Sequence, residues 1–511
     1  MEIVRGVAVP LLDDAVRDRI AAAEARLRAL IARGAGLYGV TTGFGPLAGR
    51  DVPAEAEAAL QTGLIHHLAT GVGPLLDWER ARAVVLARLL ALARGQSGVT
   101  AEVVSRLLAL LASPFAPALP ARGTVGASGD LTPLAHLALV LMGKGTVIDR
   151  EGCAMPAGPA LATLRLEPLR PTARDGLALV NGTAAMTGVA IVNQHRVERL
   201  IDWVEALSVA MAEVMGGRLE AWDGALGAAR PHPGQEAAHA ALGRRAAGSR
   251  RMVGGRLSDG PAVAKSSHPG IPAPPQDAYT LRCVPQITGA VRDVAAFHRV
   301  TVEREMAAAT DNPILPPELP STAIHGGNFM GLHVGLASDA LAAAVLSLAG
   351  LVERQVARLT DERLNGGLPP FLCRGSIGID SGLMGAQVTA TALLAEMRTR
   401  AVPATAQSIS TNGANQDVVS MGTIAARSVA THLEDLGTIA AIMALAVAQG
   451  VDIRHAAGEE GFSRATLALV EGVRSRSPPL VADRPLSDEI ATLAHWIEAS
   501  APPGEPGQPP R

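Results

Sequence analysis

Helical periodicity runs through most of the chain. Apolar residues recur every three or four positions in several intervals, which is the pattern of an amphipathic helix. This pattern predicts helices at residues 12–32, 54–68, 78–94, 101–112, 134–143 and 181–216. Four later stretches are apolar on every side and rich in Ala and Leu, at residues 283–308, 331–359, 384–397 and 421–450. A helix that is apolar all round needs to be buried, so we expect these four in a bundle core or a subunit interface.

Intervals rich in glycine and proline interrupt the helical pattern. They predict loops at residues 38–46 and 114–121, shorter helices and loops within residues 223–275, and a short hairpin within residues 146–166. The stretch 500–511 holds five prolines and is predicted to be disordered. The fold class we expect is mostly α, with a loop-rich N-terminal part at residues 1–190, a central helical bundle at 191–460, C-terminal helices at 461–499 and the tail at 500–511.

Composition narrows the class of protein. Hydrophobic residues make up 48% of the 511 residues but aromatic residues only 2%, so Ala, Leu and Val must form the core. Acidic and basic residues are interspersed and the net charge is −3, which gives no electrostatic reason to expect a nucleic acid or a membrane as partner. Three widely spaced cysteines without a C-x-x-C pair fit a reducing compartment. Because neither a secretory signal pattern nor a spanning apolar run of about 20 residues is evident, we expect a soluble, cytoplasmic protein.

One glycine-rich stretch, residues 123–136, carries unusual chemistry. Gly123, Gly126 and Gly129 recur at a spacing of three, and Ala127 and Ser128 stand between the last two. Glycine allows positive φ and tight bending, so the amide nitrogen of Gly129 could approach the carbonyl carbon of Ala127. Loss of the Ser128 hydroxyl as water would then leave an exocyclic methylene, a strong electrophile made without an added cofactor. The plainer alternative is a turn that caps a helix beginning near residue 130.

Other catalytic patterns are absent from the sequence. The 13 histidines form no H-E-x-x-H motif and no zinc-binding spacing with cysteine, and adjacent His66 and His67 would point to different sides of a helix. The residues around Lys144 lack the upstream glycine and the following Ser or Thr of a phosphate-binding loop. Ser128 lies in G-x-S-G rather than in the G-x-S-x-G of a hydrolase. We therefore expect neither a metal nor a nucleotide.

The two tyrosines of the chain both lie outside the Ala- and Leu-rich helices. Tyr38 stands in the first glycine-rich loop, and Tyr279 stands shortly before Arg282. Each tyrosine is either an anchor in a turn or a general base for a weakly acidic C–H proton. Arg282 is either a solvated side chain or a clamp for a carboxylate. Amide-bearing segments that could line a polar pocket occur at residues 181–183, 326–329 and 412–417.

These segments, in this order, are similar to those of the aromatic amino acid ammonia-lyase family, the histidine, phenylalanine and tyrosine lyases. The resemblance runs from about residue 12 to about residue 497 and includes the segments 38–45, 123–136, 179–183, 230–235, 276–283, 310–313, 325–329 and 415–418. In that family the tripeptide cyclises to methylidene-imidazolone, so the resemblance assigns Ala127, Ser128 and Gly129 to this prosthetic group. It also implies a mostly helical fold around a long central bundle of the fumarase/aspartase-like type, and a homotetramer whose active sites combine residues of more than one subunit.

The resemblance also implies roles for individual side chains. Tyr38 would be the catalytic base, and Arg282 would bind the substrate carboxylate. Asn181 and Tyr279 would help to hold the prosthetic group and the substrate amine, and Phe329 would pack beside the ring. Further substrate-contact positions implied by the resemblance are Leu68, Leu131, Asn312, Met384, Asn412, Asn415 and Gln416. Attack on the electrophile by the substrate amine or by its aromatic ring is left open, although we favour the amine.

Two positions indicate which amino acid is the substrate. Histidine lyases usually carry Ser-His where this chain has His67-Leu68 and a Glu where it has Gln416, and phenylalanine lyases usually carry Phe-Leu at the first position. His-Leu is similar to bacterial tyrosine lyases, in which the histidine hydrogen-bonds the para-hydroxyl group. The resemblance thus implies elimination of ammonia from L-tyrosine to give trans-p-coumarate, with a purely structural His67 as the alternative. One departure is Asp380, where relatives often have Asn, and its effect is left open.

Other functions stay open on the sequence alone. A tyrosine 2,3-aminomutase uses the same prosthetic group but returns the amine to Cβ, and phenylalanine or histidine ammonia-lyases belong to the same family. A non-catalytic helical scaffold is a remote alternative, because such a protein would be expected to lose Tyr38, Ser128 or Arg282, and all are present. A fumarase-type lyase without the prosthetic group is disfavoured because its G-S-S-x-M-P-x-K-x-N loop is absent.

Overall fold

The computed structural model describes residues 1–254 and 276–504. Within them the chain forms seventeen α-helices: α1 Asp14–Ala32, α2 Glu57–Leu68, α3 Trp78–Ala93, α4 Ala101–Ala112, α5 Leu131–Leu141, α6 Ala157–Thr163, α7 Asp175–Val180, α8 Ala184–Met215, α9 Gly224–Ala229, α10 Pro233–Arg245, α11 Tyr279–Arg282, α12 Val284–Met306, α13 Leu332–Thr360, α14 Met384–Thr399, α15 Gly422–Ala456, α16 Arg464–Arg474 and α17 Ser487–Ala499. The mostly helical fold predicted from periodicity is confirmed. Predicted loops at 255–275 and the end of the predicted tail, 505–511, lie outside the described residues.

Local side chains explain where several helices begin. The Asp13 carboxylate accepts a hydrogen bond from Val16 N at 2.7 Å at the start of α1, and Asp77 accepts one from Arg80 N at 2.7 Å at the start of α3. The Ser463 hydroxyl accepts one from Thr466 N at the start of α16. Each bond satisfies a backbone N–H that the first helical turn leaves without an intrahelical partner.

Five short strands complete the described structure: β1 Val72–Leu75, β2 Ala116–Pro117, β3 Pro120–Arg122, β4 Thr146–Ile148 and β5 Ala154–Pro156. The predicted hairpin is confirmed, since β4 and β5 pair antiparallel with Val147 opposite Met155. The connector predicted as a plain loop at 114–121 is instead partly extended. Its β2 pairs antiparallel with β4, and its β3 pairs antiparallel with β1. Both partners are distant in sequence, so local composition does not reveal them.

The chain divides into two compact units, each assembled from three intervals. The first unit comprises Met1–His195, His298–Asp339 and Pro403–Ala430, and the second comprises Arg196–Phe297, Ala340–Val402 and Thr431–Arg511. The core of the first unit consists almost entirely of Leu, Val, Ile and Ala side chains contributed by α2 to α5, α7 and the start of α8. This fits a sequence that is rich in small and branched apolar residues and poor in aromatic ones. The predicted sequence boundaries at 190, 460 and 499 stay a prediction.

The long apolar helices differ in how far they are buried. In α15 every residue from 439 to 451 is buried, as its all-round apolar pattern predicts. In α14, by contrast, Val388 is 59% exposed and Met384 is 41% exposed in a single copy of the chain. By length and composition alone α13 and α15 could each cross a membrane, but 50% and 78% of their most apolar windows are buried inside the protein. Long core helices of soluble proteins have the same properties.

Hydrogen bonds in the second unit account for the aspartate at position 380, where relatives often have Asn. Its carboxylate accepts hydrogen bonds from Ser376 N and Asp483 N, each at 2.9 Å. The Asp483 carboxylate in turn accepts from Ser381 N at 2.7 Å and from Gly382 N at 2.9 Å. Asp380 thus joins two loops by reciprocal bonds, a role that needs acceptor oxygens and that both carboxylate oxygens fill.

Candidate active site

A cavity of about 690 Å³ lies in the first unit, where the loops at the ends of α2, α5 and α7 meet the segments before α13 and α15. Many of the residues singled out in the sequence line it: Tyr38, His67, Leu68, Ala127, Ser128, Leu131, Asn181, Asn312, Phe329, Asn412, Asn415 and Gln416. Its volume suits a small organic molecule. All three amide-bearing segments contribute lining residues, although the Asn328 amide of segment 326–329 is not among them, and a role of these segments in binding stays a prediction.

Close packing leaves no room for side chains at two glycines of the tripeptide turn. Gly126 has φ of +73° and Gly129 has φ of +75°, a region that L-residues rarely adopt. A Cβ atom on Gly126 would overlap the Ser420 hydroxyl, and one on Gly129 would overlap the carbonyl of Gly182. The turn is therefore compressed between two segments that are distant in sequence, and glycine is required at both positions.

Two amide side chains hold the central serine of the tripeptide. Asn181 Nδ2 donates to the Ser128 carbonyl at 3.0 Å, and Gln416 Nε2 donates to the Ser128 hydroxyl oxygen at 3.1 Å. Asn181 is itself fixed, since its Oδ1 accepts from Asn312 N at 2.7 Å. Gln416 is fixed through its Oε1, which accepts from the Thr411 hydroxyl at 2.8 Å. The serine thus has both its carbonyl and its hydroxyl in defined positions.

Helix α5, which follows the tripeptide, begins at residue 131. Asp130 directly precedes this helix, but its carboxylate does not form a capping hydrogen bond with the first turn. Asp130 is fully buried, and its carboxylate accepts hydrogen bonds from Met186 N at 2.7 Å and from the Thr423 hydroxyl. Burial raises the pKa of Asp130 to about 6, against the opposing effect of these hydrogen bonds. The side chain links the turn to the starts of α8 and α15 instead of closing α5.

The candidate base, Tyr38, faces the cavity from the glycine-rich loop. Its hydroxyl oxygen accepts a hydrogen bond from Gly45 N at 2.9 Å, and its own backbone N–H donates to His325 Nε2 at 3.3 Å. Its ring meets Phe44 edge-on, with the ring centroids 6.2 Å apart. An amide donor at the hydroxyl oxygen would stabilise negative charge there, which suits a group that is to accept a proton.

A buried glutamine ties this loop to the rest of the site. Gln61, on α2, is fully buried, and its Nε2 donates to Gly39 O at 2.9 Å. Its Oε1 accepts from Leu177 N, on α7, at 2.9 Å. One side chain thus joins the residue after Tyr38 to the helix that leads into Asn181. Sequence reasoning did not single out Gln61, because a glutamine in an amphipathic helix has no distinguishing pattern.

His67 is placed at the cavity by the last turn of α2. Its Nδ1 lies 3.1 Å from Gly63 O, one helical turn earlier. A carbonyl oxygen only accepts hydrogen bonds, so Nδ1 donates to Gly63 O, and in the neutral imidazole Nε2 is then the acceptor nitrogen. His67 therefore offers an acceptor at its second ring nitrogen.

The structure does not bring all predicted residues to this cavity. Gly129 lies directly behind the lining residue Ser128. Tyr279, Arg282 and Met384 belong to the second unit and do not line the cavity, and their predicted roles stay predictions. Tyr279 is 68% exposed, and the Arg282 guanidinium lies 4.7 Å from the centre of its ring. Apolar lining residues not singled out in the sequence are Leu47, Leu60, Leu64, Leu177 and Met330.

Charge is scarce at the cavity wall. Among the lining residues Asp417 is the one Asp, Glu, Lys or Arg, and the other polar lining groups are amides, hydroxyls and an imidazole. Within residues 1–254 and 276–504 no group of three or more His, Cys, Asp or Glu side chains is arranged to hold a metal. The wall thus combines an apolar surface with amides, a phenol and a compressed tripeptide, and none of its lining residues within 1–254 and 276–504 is a Lys or Arg that could bind a carboxylate.

Comparisons with known proteins find matches over nearly the whole chain. The family model of the aromatic amino acid lyases matches residues 1–475. The chain is 53% identical to the tyrosine ammonia-lyase of Cereibacter sphaeroides, over 98% of this chain and 95% of that protein. It is 38% identical to the histidine ammonia-lyase of Symbiobacterium thermophilum, over 97% of this chain and 93% of that protein.

A solved structure shows the same fold. The tyrosine aminomutase of Streptomyces globisporus superposes with a TM-score of 0.90 at 36% sequence identity, covering 97% of this chain and 94% of that one. Since the family model, the relatives and the solved structure all extend over the residues that form the cavity, the protein belongs to the aromatic amino acid lyase family.

Proposed function

We propose that this protein is a tyrosine ammonia-lyase, which eliminates ammonia from L-tyrosine without oxidation and releases trans-p-coumarate. The observation that carries the proposal is His67 at the wall of the cavity, with Nδ1 bonded to Gly63 O so that Nε2 is the acceptor nitrogen of the neutral ring. The 53% identity with a tyrosine ammonia-lyase supports the same substrate. The phenol of tyrosine can donate a hydrogen bond to Nε2, whereas the ring of phenylalanine leaves that acceptor unpaired.

The tripeptide fits the prosthetic group that the family implies. Cyclisation joins Gly129 N to the Ala127 carbonyl carbon and releases that oxygen as water, and dehydration removes the Ser128 hydroxyl with its Cα proton as a second water. The compression of Gly129 against Gly182 and the fixed Ser128 hydroxyl support both steps. When formed, methylidene-imidazolone would supply an electrophilic methylene for a substrate whose ammonium leaves poorly and whose β-proton is weakly acidic.

The chain's own residues supply the remaining steps. Tyr38 accepts the β-proton at its hydroxyl oxygen, the atom to which Gly45 N donates. Asn181 and Gln416 hold the tripeptide in register, and Leu60, Leu64 and Leu177 provide an apolar surface for the aromatic ring. This division of work keeps proton transfer on one side of the substrate and the electrophile on another.

We further propose that the active site is completed in a homotetramer. The described part of the chain contributes no Lys or Arg to the cavity wall, and the substrate carries a carboxylate for which a cation is the natural partner. Tyr279 is exposed and Arg282 is stacked on it, outside this wall. Another copy of the chain would bring these two residues to the substrate, in the way that the family resemblance implies. A cytoplasmic location stays a prediction.

The reaction is tested by ultraviolet absorbance of the purified protein with L-tyrosine, L-phenylalanine or L-histidine. Each lyase product is a conjugated arylacrylate with its own spectrum. We expect the p-coumarate band to grow fastest. Faster growth of the cinnamate or urocanate band would contradict the tyrosine assignment while leaving the elimination chemistry intact.

A substitution at His67 tests the proposed basis of the preference for tyrosine. His67→Phe removes the acceptor and extends the apolar wall, so the preference for tyrosine over phenylalanine should fall by at least about tenfold in kcat/KM. An unchanged preference would refute the role of His67. Two substrate analogues give a finer test: 4-aminophenylalanine can donate a hydrogen bond to Nε2, and 4-fluorophenylalanine cannot. In His67→Phe the turnover of 4-aminophenylalanine relative to phenylalanine should fall, whereas that of 4-fluorophenylalanine should not.

A second function has a specific observation in its favour, namely the TM-score of 0.90 with a tyrosine aminomutase. A tyrosine 2,3-aminomutase would return the amine to Cβ and form β-tyrosine. Chromatography of the same reactions distinguishes the two. Accumulation of β-tyrosine as the main product would replace the lyase proposal by the mutase.

A further inference from the structure

One guanidinium is buried directly behind the site, on the opposite side of the segment that contacts the tripeptide. Arg88, on α3, is fully buried, and burial lowers its pKa to about 10, so it is still protonated at neutral pH. Its Nη1 donates to Asn181 O at 2.6 Å. In the described part of the chain its Nε and Nη2 have no hydrogen-bond partner. Burying a charge with so few bonds is costly, so the remaining bond is expected to matter.

The segment that Arg88 contacts is packed from both sides. On one side Gly182 N donates to Ser128 O at 3.3 Å, and Asp130 N donates to Gly182 O at 2.8 Å. On the other side a Cβ added to Gly182 would lie 2.8 Å from Arg88 Nη1 and 2.7 Å from the Thr310 hydroxyl. The backbone at 181–182 therefore has the tripeptide on one face and the guanidinium on the other, with no free space between.

We infer that Arg88 is a positioning residue for formation of the prosthetic group: it holds the 181–182 segment against the tripeptide so that Gly129 N stays close to the Ala127 carbonyl carbon. The inference rests on the proposed function. Arg88 does not touch the reacting atoms and transfers no proton. Without it, the segment can relax into the vacated volume, and the compression of Gly129 decreases.

The same helix offers a matched control. Arg82, also on α3, is 1% exposed and donates to Val4 O and Ser113 O, each at 2.8 Å. It likewise carries a buried charge that binds backbone carbonyls, and burial lowers its pKa to about 10 as well. None of the carbonyls that it binds belongs to a segment in contact with the tripeptide. Loss of Arg82 should therefore affect stability but not cyclisation.

The experiment compares Arg88→Met and Arg88→Lys with Arg82→Met and Arg82→Lys by mass spectrometry. A fully cyclised chain is lighter than its translated sequence by two water molecules, which is measured without any substrate. Each protein is recovered unfolded and uncyclised from inclusion bodies, its starting mass is checked, and it is sampled at intervals after refolding. Circular dichroism identifies the folded fraction. We expect the Met variant at residue 88 to cyclise at least about tenfold more slowly than wild type, a change of about 1.4 kcal/mol in the barrier. The Lys variant should be intermediate, and both Arg82 variants should match wild type.

Each other outcome has a defined meaning. Folded Arg88→Met that cyclises at the wild-type rate overturns the inference, and so does equal slowing in the Arg82 variants. If Arg88→Met does not fold, the cyclisation rates of Arg88→Lys and Arg82→Lys are compared in the same way. If the wild-type chain itself never loses the two water molecules, the proposed prosthetic group is wrong, a result separate from the role of Arg88.

Discussion

Single glycines of this chain differ sharply in the space around them. A methyl group at Gly129 would overlap the Gly182 carbonyl, whereas Gly63, in the middle of α2, has open space at the same position. Gly129→Ala should therefore lower the free energy of unfolding by on the order of 3 kcal/mol, and the thermal midpoint with it. Gly63→Ala should raise the free energy of unfolding by about 0.5–1 kcal/mol, because alanine restricts the unfolded chain and favours the helical conformation. Calorimetry of both variants at one protein concentration tests this, and equal shifts would contradict the packing argument.

His136 gives the molecule a defined sensitivity to acid. Burial lowers the pKa of His136 below its ordinary value of 6.5, and its Nε2 accepts a hydrogen bond from Gly71 N at 3.2 Å. The unfolded chain takes up a proton at higher pH than the folded chain does, so the free energy of unfolding should fall as the pH drops below 6.5. His298, whose pKa burial lowers to about 4, adds to the same trend.

The test for His136 is a glutamine substitution. His136→Gln keeps an acceptor for Gly71 N but does not titrate, so denaturant unfolding across the acid range should show a smaller loss of stability than in wild type. Since His298 is unchanged, part of the loss should persist. An identical pH dependence in both proteins would show that His136 does not contribute.

Among single residues, the sequence identifies those whose types are rare in this chain or whose chemistry is distinctive. Tyr38 is one of two tyrosines, and Ala127-Ser128-Gly129 lies in an unusual series of glycines. Gln61 and Arg88 are equally close to the site, but each is an ordinary residue of an amphipathic helix. Their importance comes from partners that are distant in sequence, Gly39 and Leu177 for one and Asn181 for the other. No local pattern encodes such a partner.

Among the elements, α2 carries two functions at once. Its last turn presents His67 to the cavity, while Gln61 in its interior joins the Tyr38 loop to α7. Gln61→Leu would leave Gly39 O and Leu177 N without their partner and let the loop shift. We expect kcat to fall by at least about tenfold, since small displacements of a base are costly. The isotope effect with β-deuterated tyrosine should increase, because proton abstraction becomes slower relative to other steps.

A glutamine in the second unit provides the matched control. Gln449 is 2% exposed and also bridges backbone groups, donating to Leu480 O at 2.7 Å and accepting from Leu480 N at 3.1 Å. Gln449→Leu should cost comparable stability but leave the isotope effect unchanged. If the two variants change the isotope effect equally, Gln61 has only a structural role.

The long helices of the N-terminal half were predictable from periodicity, whereas most of the short strands were not. The pattern gave α3 at residues 78–94 against Trp78–Ala93 observed, and α4 at the same bounds as observed. The strands β1 and β3 were not predicted, because each has four residues or fewer and pairs with a segment about 45 residues away. A helix forms its backbone hydrogen bonds locally, whereas a short strand depends on a partner that periodicity does not show.

For the whole molecule, the proposed tetramer makes a prediction about mixtures of inactive variants. Tyr38→Phe removes the proposed base, and Arg282→Ala removes the proposed partner of the substrate carboxylate, so each variant alone should lose activity by about 10²-fold or more. If these two residues reach one active site from different copies, co-expression of the variants should restore part of the activity, because some sites then contain both native residues. The measurement is the rate of p-coumarate formation by the mixed assemblies.

Two residues of the same cavity wall serve as the control for this mixture. Tyr38 and Ser128 line one cavity within a single chain. Co-expression of Tyr38→Phe with Ser128→Ala should therefore restore nothing, since no site regains both residues. Restoration in this control, or its absence in the first mixture, would contradict the shared site.

The contacts around Ser128 also determine when the chain can become reactive during its synthesis. The tripeptide leaves the ribosome early, but the groups that compress and hold it come from Asn181, Gln416 and Ser420. A nascent or truncated chain that lacks Gln416 and Ser420 holds the turn only from the side of the 181–182 segment. The reactive methylene would accordingly appear only after nearly the whole polypeptide has been made and folded. Incomplete chains would stay chemically inert, so cellular thiols and amines would meet the electrophile only inside a finished enzyme.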